Sequence, residues 1–144
     1  MVSESMQKEF MGEGMYREHI LDHYKHPRNF GVWKTCSVEH REHNPVCGDQ
    51  LSFQLKVDEQ KRVSDVHFSG QGCAISVASA SLLSDEIKGK SLKEVQSMTR
   101  DDIQELLGVE LGPVRLKCAM LSLDTVKNAC LIYQKYGKKD VHHG

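Results

Sequence analysis

The sequence predicts an α+β fold: a small antiparallel three-stranded sheet covered on one face by helices. Two observations carry that expectation. Leu51, Phe53, Leu55 and Val57 alternate with polar residues without a break, which is the period of a half-buried strand, and the polar cluster 58–62 separates them from a second run, Val63 to Ser69. After these runs the pattern turns helical and stays helical, without the βαβ alternation of a parallel sheet.

Each element has its own signal. The first fourteen residues lack periodicity and are expected to be flexible. From Met15 onward Tyr16, Ile20 and Tyr24 repeat at a spacing of four, a helix that should end by His26 because Pro27 disfavours a helical residue before it. Asn29 and Gly31 mark a turn, and the polar stretch from Trp33 to His43 has room for a short strand. Val63 to Ser69 places Val66 and Phe68 on one face, and the short turn before it suggests an antiparallel hairpin. Gly70-Gln71-Gly72-Cys73 then opens a segment of small residues, Ala74 to Lys88. Its apolar positions cover most of the circumference, so it reads as a buried helix closed by Gly89.

Ser91 with Glu94 forms a capping-box pattern for a short helix through Met98, and Thr99 with Asp102 repeats it for a helix ending near Gly108. Gly112-Pro113 reads as a loop. A last helix is expected from about Arg115 to Tyr136, with Ala119, Leu123, Val126, Cys130 and Tyr133 as its core stripe and Gly137 as its cap. One domain over residues 15–137 results, followed by a tail, 138–144, expected to be disordered. His142 and His143 fall in that tail, and His19, His23 and His67 read as surface positions.

With 144 residues, the chain can bury a core without cross-links. Its formal net charge of −1 gives no global pull toward nucleic acid or an anionic membrane. The longest apolar run, Ala129 to Tyr133, is too short to span a bilayer. Glu4, Lys8, Glu9 and Glu13 argue against a secretory signal, so a cytoplasmic protein is expected.

The cysteines point to chemistry. There are five: Cys36, Cys47, Cys73, Cys118 and Cys130. An odd count in a chain of this type is a poor disulfide framework. No pair is separated by two residues, so any metal site must be assembled from separate loops. Cys47 lies in the turn Asn44-Pro45-Val46-Cys47-Gly48-Asp49, Cys73 at the start of the buried helix, and Cys118 in the expected first turn of the last helix. Helix N-termini favour a thiolate over a thiol. Asp49, two residues from Cys47, can add an oxygen ligand, and Gly48 is expected to bend the chain so that this carboxylate stays near solvent. Zinc held by three thiolates and a carboxylate would carry −2, which Arg115 and Lys117 beside Cys118 can offset.

Two other interpretations remain open at this point. The three cysteines can be structural and buried, although turns after glycines are unusual places for that. Cys36, His40, His43 and Cys47, spaced at four, three and four, are all zinc-ligand types and form a local rival site. Cys130, on a core stripe, reads as a small hydrophobe.

Four stretches carry a resemblance: Tyr16 to Gly31 (YREHILDHYKHPRNFG), Asn44 to Asp49 (NPVCGD), Gly70 to Ser81 (GQGCAISVASAS) and Pro113 to Leu121 (PVRLKCAML). Together they resemble the U-type iron–sulfur cluster assembly proteins, which include IscU, SufU and the N-terminal domain of NifU. The resemblance covers about residues 14 to 136 and implies an α+β sandwich with an antiparallel sheet. It implies a scaffold that accepts sulfur from a cysteine desulfurase and builds a transient [2Fe-2S] cluster for apo iron–sulfur acceptor proteins. The alternative it carries is a SufU-type, zinc-dependent sulfur acceptor, a sulfurtransferase. A structural zinc protein is the alternative of another class.

Carried over residue by residue, Cys47, Asp49, Cys73 and Cys118 match the family's metal and cluster site, and Cys118 or Cys47 is its sulfur acceptor. Lys117 stands where the IscU type usually has histidine. The PRNFG and GCAISVASAS wording is closer to the SufU type, whereas the 44 residues between Cys73 and Cys118 give about the IscU length. A monomer or weak homo-oligomer is expected.

Overall fold

The computed structural model describes residues 13–45, 48–137 and 141–142. Elements are numbered in chain order: α1 Glu13–Lys25, β1 Thr35–Cys36, β2 Val38–Asn44, β3 Asp49–Val57, β4 Val63–Gln71, α2 Ala74–Ile87, α3 Leu92–Gln96, α4 Arg100–Leu107, α5 Pro113–Tyr136 and β5 Val141–His142. The three-stranded sheet has the order β2-β3-β4, antiparallel throughout. Its registers place Val38 opposite Leu55, Asn44 opposite Asp49, and Phe53 opposite Phe68.

Period-two alternation puts Leu51, Phe53, Leu55 and Val57 on one face of β3. There they meet Val66 and Phe68 of β4 and the helices behind them. α5 lies across β2 and β3, and α2 packs between β4, α1 and α5. Leu83 and Ile87 of α2, Ile103 and Leu107 of α4, and Leu123 and Val126 of α5 complete a continuous core. The predicted core stripe of the last helix is buried at all five positions.

The opposite face of the sheet is partly covered by the chain between α1 and β1. Gln54 donates to the Trp33 carbonyl at 3.0 Å and accepts from the Trp33 N–H at 2.7 Å, which accounts for a buried amide on the outer face. The Trp33 ring stacks on His67 at 4.0 Å, and the Lys56 ammonium lies 4.2 Å above Trp33. His67 is therefore half-buried, and burial holds its pKa below the ordinary histidine value.

Several expectations change. Helix α5 begins at Pro113, not Arg115: proline lacks only an N–H that a helix start leaves unpaired, so Gly112 is the N-cap and Pro113 the first helical residue. His23 is 6% exposed and not a surface residue, because its Nδ1 meets Ser81 Oγ of α2 at 2.7 Å. Burial, with Arg28 next in effect, holds its pKa below the usual value. Of residues 1–14, expected to be flexible, 1–12 lie outside the described residues, and Glu13 and Gly14 open α1. Within the tail expected to be disordered, Val141–His142 pairs with Thr35–Cys36, while 138–140 and 143–144 lie outside the described residues. No described helix is long and apolar enough to cross a membrane.

Candidate metal centre

Three elements deliver one side chain each to a common point. Asp49 is the first residue of β3, Cys73 is the N-cap of α2, and Cys118 is the sixth residue of α5. Their ligand atoms all lie within 4.8 Å of one another. Among the described residues this is the one grouping of three or more histidine, cysteine or acidic side chains with that convergence. Cys47, the fourth predicted ligand, lies outside the described residues.

The convergence follows from backbone chemistry. α2 starts without help from its own sequence: Cys73 makes no side-chain cap hydrogen bond, and the first turn has no acidic residue. A helix N-terminus leaves N–H groups unpaired and carries partial positive charge. Asp49 supplies what is missing from another element. Its Oδ1 accepts from the Cys73 N–H at 3.0 Å, and its Oδ2 accepts from the Ser76 hydroxyl at 2.5 Å. The carboxylate is 2% exposed, so these donors stabilise a buried charge. The expected placement near solvent is therefore wrong; Gly48 does bend the chain, with φ at +74°, but it turns Asp49 inward against α2.

Gly72 makes this approach possible. A Cβ at that position would lie 2.8 Å from Asp49 Oδ1 and 3.0 Å from its Cγ, and steric overlap would push the carboxylate off the helix start. Glycine before Cys73 is thus a packing requirement of the site.

The two described thiols differ. Cys73 is exposed, with its Sγ 3.8 Å from Asp49 Oδ2 and 3.4 Å from Ser76 Oγ. Cys118 is 4% exposed. Because α5 starts earlier than expected, Cys118 sits in its second turn, where the helix dipole acts weakly, so the charge argument for a thiolate there loses most of its force. Arg115 and Lys117 are exposed on the same helix.

The remaining cysteines separate cleanly from this group. Cys130 is fully buried in the core, and burial pushes its thiol up to about 12. Cys36 is buried in β1 and not in an open polar loop; burial, then Glu39, pushes its thiol up as well. Among the described residues the rival set does not come together: His40 and His43 are three apart on β2, so they project from opposite faces, and they form no ligand group with Cys36; Cys47, its fourth member, lies outside the described residues. All four described cysteines are free thiols.

The donor set suits zinc or an iron–sulfur cluster, because both take thiolates with a minority of harder ligands. Sequence reasoning missed Ser76, which is fully buried and touches both Asp49 and Cys73. The available signal was indirect: a buried helix with neither a capping side chain nor an acidic first turn needs an anion from elsewhere.

Comparison with known proteins gives the family. The family model described as NifU-like N terminal domain matches residues 15–140. The iron–sulfur cluster assembly scaffold protein IscU of Escherichia coli K12 is 37% identical over 127 residues, spanning 83% of this chain and 94% of its own. The zinc-dependent sulfurtransferase SufU of Bacillus subtilis 168 is 40% identical over 125 residues, spanning 75% of this chain and 84% of its own. Among solved structures, an iron–sulfur cluster assembly scaffold protein for the SUF system from Fervidobacterium islandicum AW-1 superposes with a TM-score of 0.66 at 26% identity, over 78% of this chain and 94% of that one. A match that runs from α1 past the end of α5, and so takes in all the elements that deliver the metal-centre side chains, leaves one conclusion: the chain belongs to the NifU-like N-terminal domain family, the U-type iron–sulfur cluster assembly proteins.

Proposed function

We propose that the protein acts in iron–sulfur cluster assembly as a scaffold. It accepts sulfur from a cysteine desulfurase, holds a [2Fe-2S] cluster at Cys47, Asp49, Cys73 and Cys118, and passes it to apo iron–sulfur acceptor proteins. The observation that carries this is the convergence of Asp49, Cys73 and Cys118 from three separate elements to within 4.8 Å. The exposure of Cys73 gives that point an open side, which a site that must release its cargo needs.

Sulfur acceptance is an exchange between a thiolate and a persulfide. The acceptor sulfur attacks the outer sulfur of the desulfurase persulfide, a new S–S bond forms, the old one breaks, and the desulfurase cysteine leaves as a thiolate. The transferred sulfur keeps its sulfane oxidation state in this step; to become cluster sulfide each sulfur takes up two electrons, supplied by ferrous iron and excess thiol. Cys118 and Cys47 are the candidates. Cys118 is covered, which is unfavourable for an incoming persulfide, and on that ground we assign first acceptance to Cys47.

A second reading is supported by the 40% identity to the Bacillus SufU and by the donor set itself. In it the same four residues hold zinc, which supplies charge to keep the thiols deprotonated, and the protein is a zinc-dependent sulfur acceptor with no cluster of its own. One anaerobic experiment separates the two: the protein mixed with a cysteine desulfurase, cysteine and ferrous iron. A cluster absorbing in the visible supports the scaffold. Stimulated desulfurase turnover without a cluster supports the sulfur acceptor. Neither response leaves only a structural zinc protein and overturns both.

A further inference from the structure

We infer that Ser76 is a positioning residue of the metal centre: its hydroxyl holds the Asp49 carboxylate turned toward Cys73 and Cys118 and thereby sets the affinity for metal. The inference rests on the assignment of Asp49, Cys73 and Cys118 as ligands.

Ser76 is the third residue of α2 and is fully buried. Its Oγ lies 2.5 Å from Asp49 Oδ2 and 3.4 Å from Cys73 Sγ, so one hydroxyl touches two of the three converging side chains. The other buried serines of α2 are engaged elsewhere. Ser79 donates to the Ser76 carbonyl, Ser81 meets His23 and accepts from the Arg28 N–H, and Ser84 donates to the Ser81 carbonyl. Ser76 is thus the buried serine of this helix whose hydroxyl turns to the site.

The geometry explains what the hydroxyl does. Asp49 can turn about its Cα–Cβ and Cβ–Cγ bonds, and the Cys73 N–H fixes Oδ1 alone. A second donor on Oδ2 fixes the plane of the carboxylate, and the absence of a side chain at Gly72 leaves room for that orientation. Without Ser76 Oγ, the remaining contact to Oδ2 in this network is the Cys73 thiol at 3.8 Å, a weak donor. A carboxylate that must be reoriented before it ligates binds metal less tightly, and loss of such a supporting hydrogen bond typically lowers metal affinity by about 10–100-fold.

The test is zinc affinity of the full chain, measured by competition with a chromophoric chelator, in a double-mutant cycle. Ser76→Ala should weaken zinc binding about tenfold or more in the parent protein, and by less than about twofold in the Asp49→Ala background, because the hydroxyl acts through that carboxylate. Ser79→Ala, which touches neither ligand, should stay within about twofold of the parent. Asp49→Asn is the alternative background should Asp49→Ala fold poorly, since its amide oxygen can still accept from the Cys73 N–H. Unchanged affinity in Ser76→Ala overturns the inference, as does an equal loss in both backgrounds, which is the signature of a packing defect. Parent-like zinc binding in Asp49→Ala instead overturns the ligand assignment itself, a different outcome from one in which Asp49 matters and Ser76 does not.

Discussion

Helices α2 and α3 begin in opposite ways. At α3 the cap is local: the Glu94 N–H donates to Ser91 Oγ at 3.1 Å, and the Ser91 N–H donates back to Glu94 Oε1 at 3.4 Å, two residues three positions apart satisfying each other. At α2 the cap comes from Asp49, 24 positions upstream on another element. A local cap needs only the helix. A cap from a distance ties the helix start to the start of β3, and this tie brings Cys73 beside Asp49 and both beside Cys118. The group that caps α2 is thus also the group proposed as the oxygen ligand of the metal centre. Stability of the helix and composition of the proposed site are therefore linked at the start of α2 and separate at the start of α3, and they should be independent at the far end of α2 as well.

The largest effect on stability should come from the end remote from the site. Leu83 is fully buried against the core, and Leu83→Ala should lower unfolding free energy by about 2–5 kcal/mol. Zinc affinity of the folded protein should stay within about twofold of the parent, since effects at well-separated sites are nearly independent. A tenfold loss of zinc affinity in Leu83→Ala would break the proposed independence of the two ends.

The caps give a sharper contrast. Ser91→Ala should lower stability by about 1 kcal/mol in chemical denaturation and leave zinc binding alone. Asp49→Ala should lower the stability of the metal-free protein by about 1–2 kcal/mol and weaken zinc binding as well. Asp49→Asn separates the two roles: its oxygen can still accept from the Cys73 N–H, so metal-free stability should be largely retained while zinc affinity falls. Equal zinc binding in Asp49→Asn and the parent would confine Asp49 to capping.

Cysteines on the two sides of this division should also differ in alkali. The Cys130 thiol is pushed up to about 12 by burial, from an ordinary value near 9.0. An unfolded chain loses that proton above about pH 9 while the folded protein keeps it, so this contribution is complete below pH 9 and is lost as pH rises toward 12. The loss approaches roughly 1.4 kcal/mol per pH unit in that window. Cys130→Ala should flatten the alkaline limb of the stability profile, whereas a Cys130→Ala profile as steep as the parent's would assign the slope to other groups.

Much of the fold was legible because its signals are local. Alternation from Leu51 to Val57 fixes the inward face of β3, and capping patterns at Ser91 and Thr99 locate α3 and α4 from residues three positions apart. The start of α5 is hidden because Gly112-Pro113 has the composition of a loop, although proline suits the first helical position. The site was legible as residue types and not as an arrangement. Cys73 and Asp49 could be named from their turns, but the burial of Asp49 depends on Gly72 and Ser76, whose spacing from it carries no periodic signal. The burial of His23 is hidden for the same reason, since its partner Ser81 is 58 positions away.

X-ray absorption at the zinc edge of the zinc-loaded protein reads out whether one carboxylate and separate cysteine thiols form a single metal centre, as proposed. The expected spectrum has three sulfurs at about 2.3 Å and one oxygen at about 2.0–2.2 Å, and Asp49→Ala should lose the carboxylate oxygen while keeping all three sulfurs. A shell with two or fewer sulfurs, or with the multiple-scattering pattern of histidine, would contradict it.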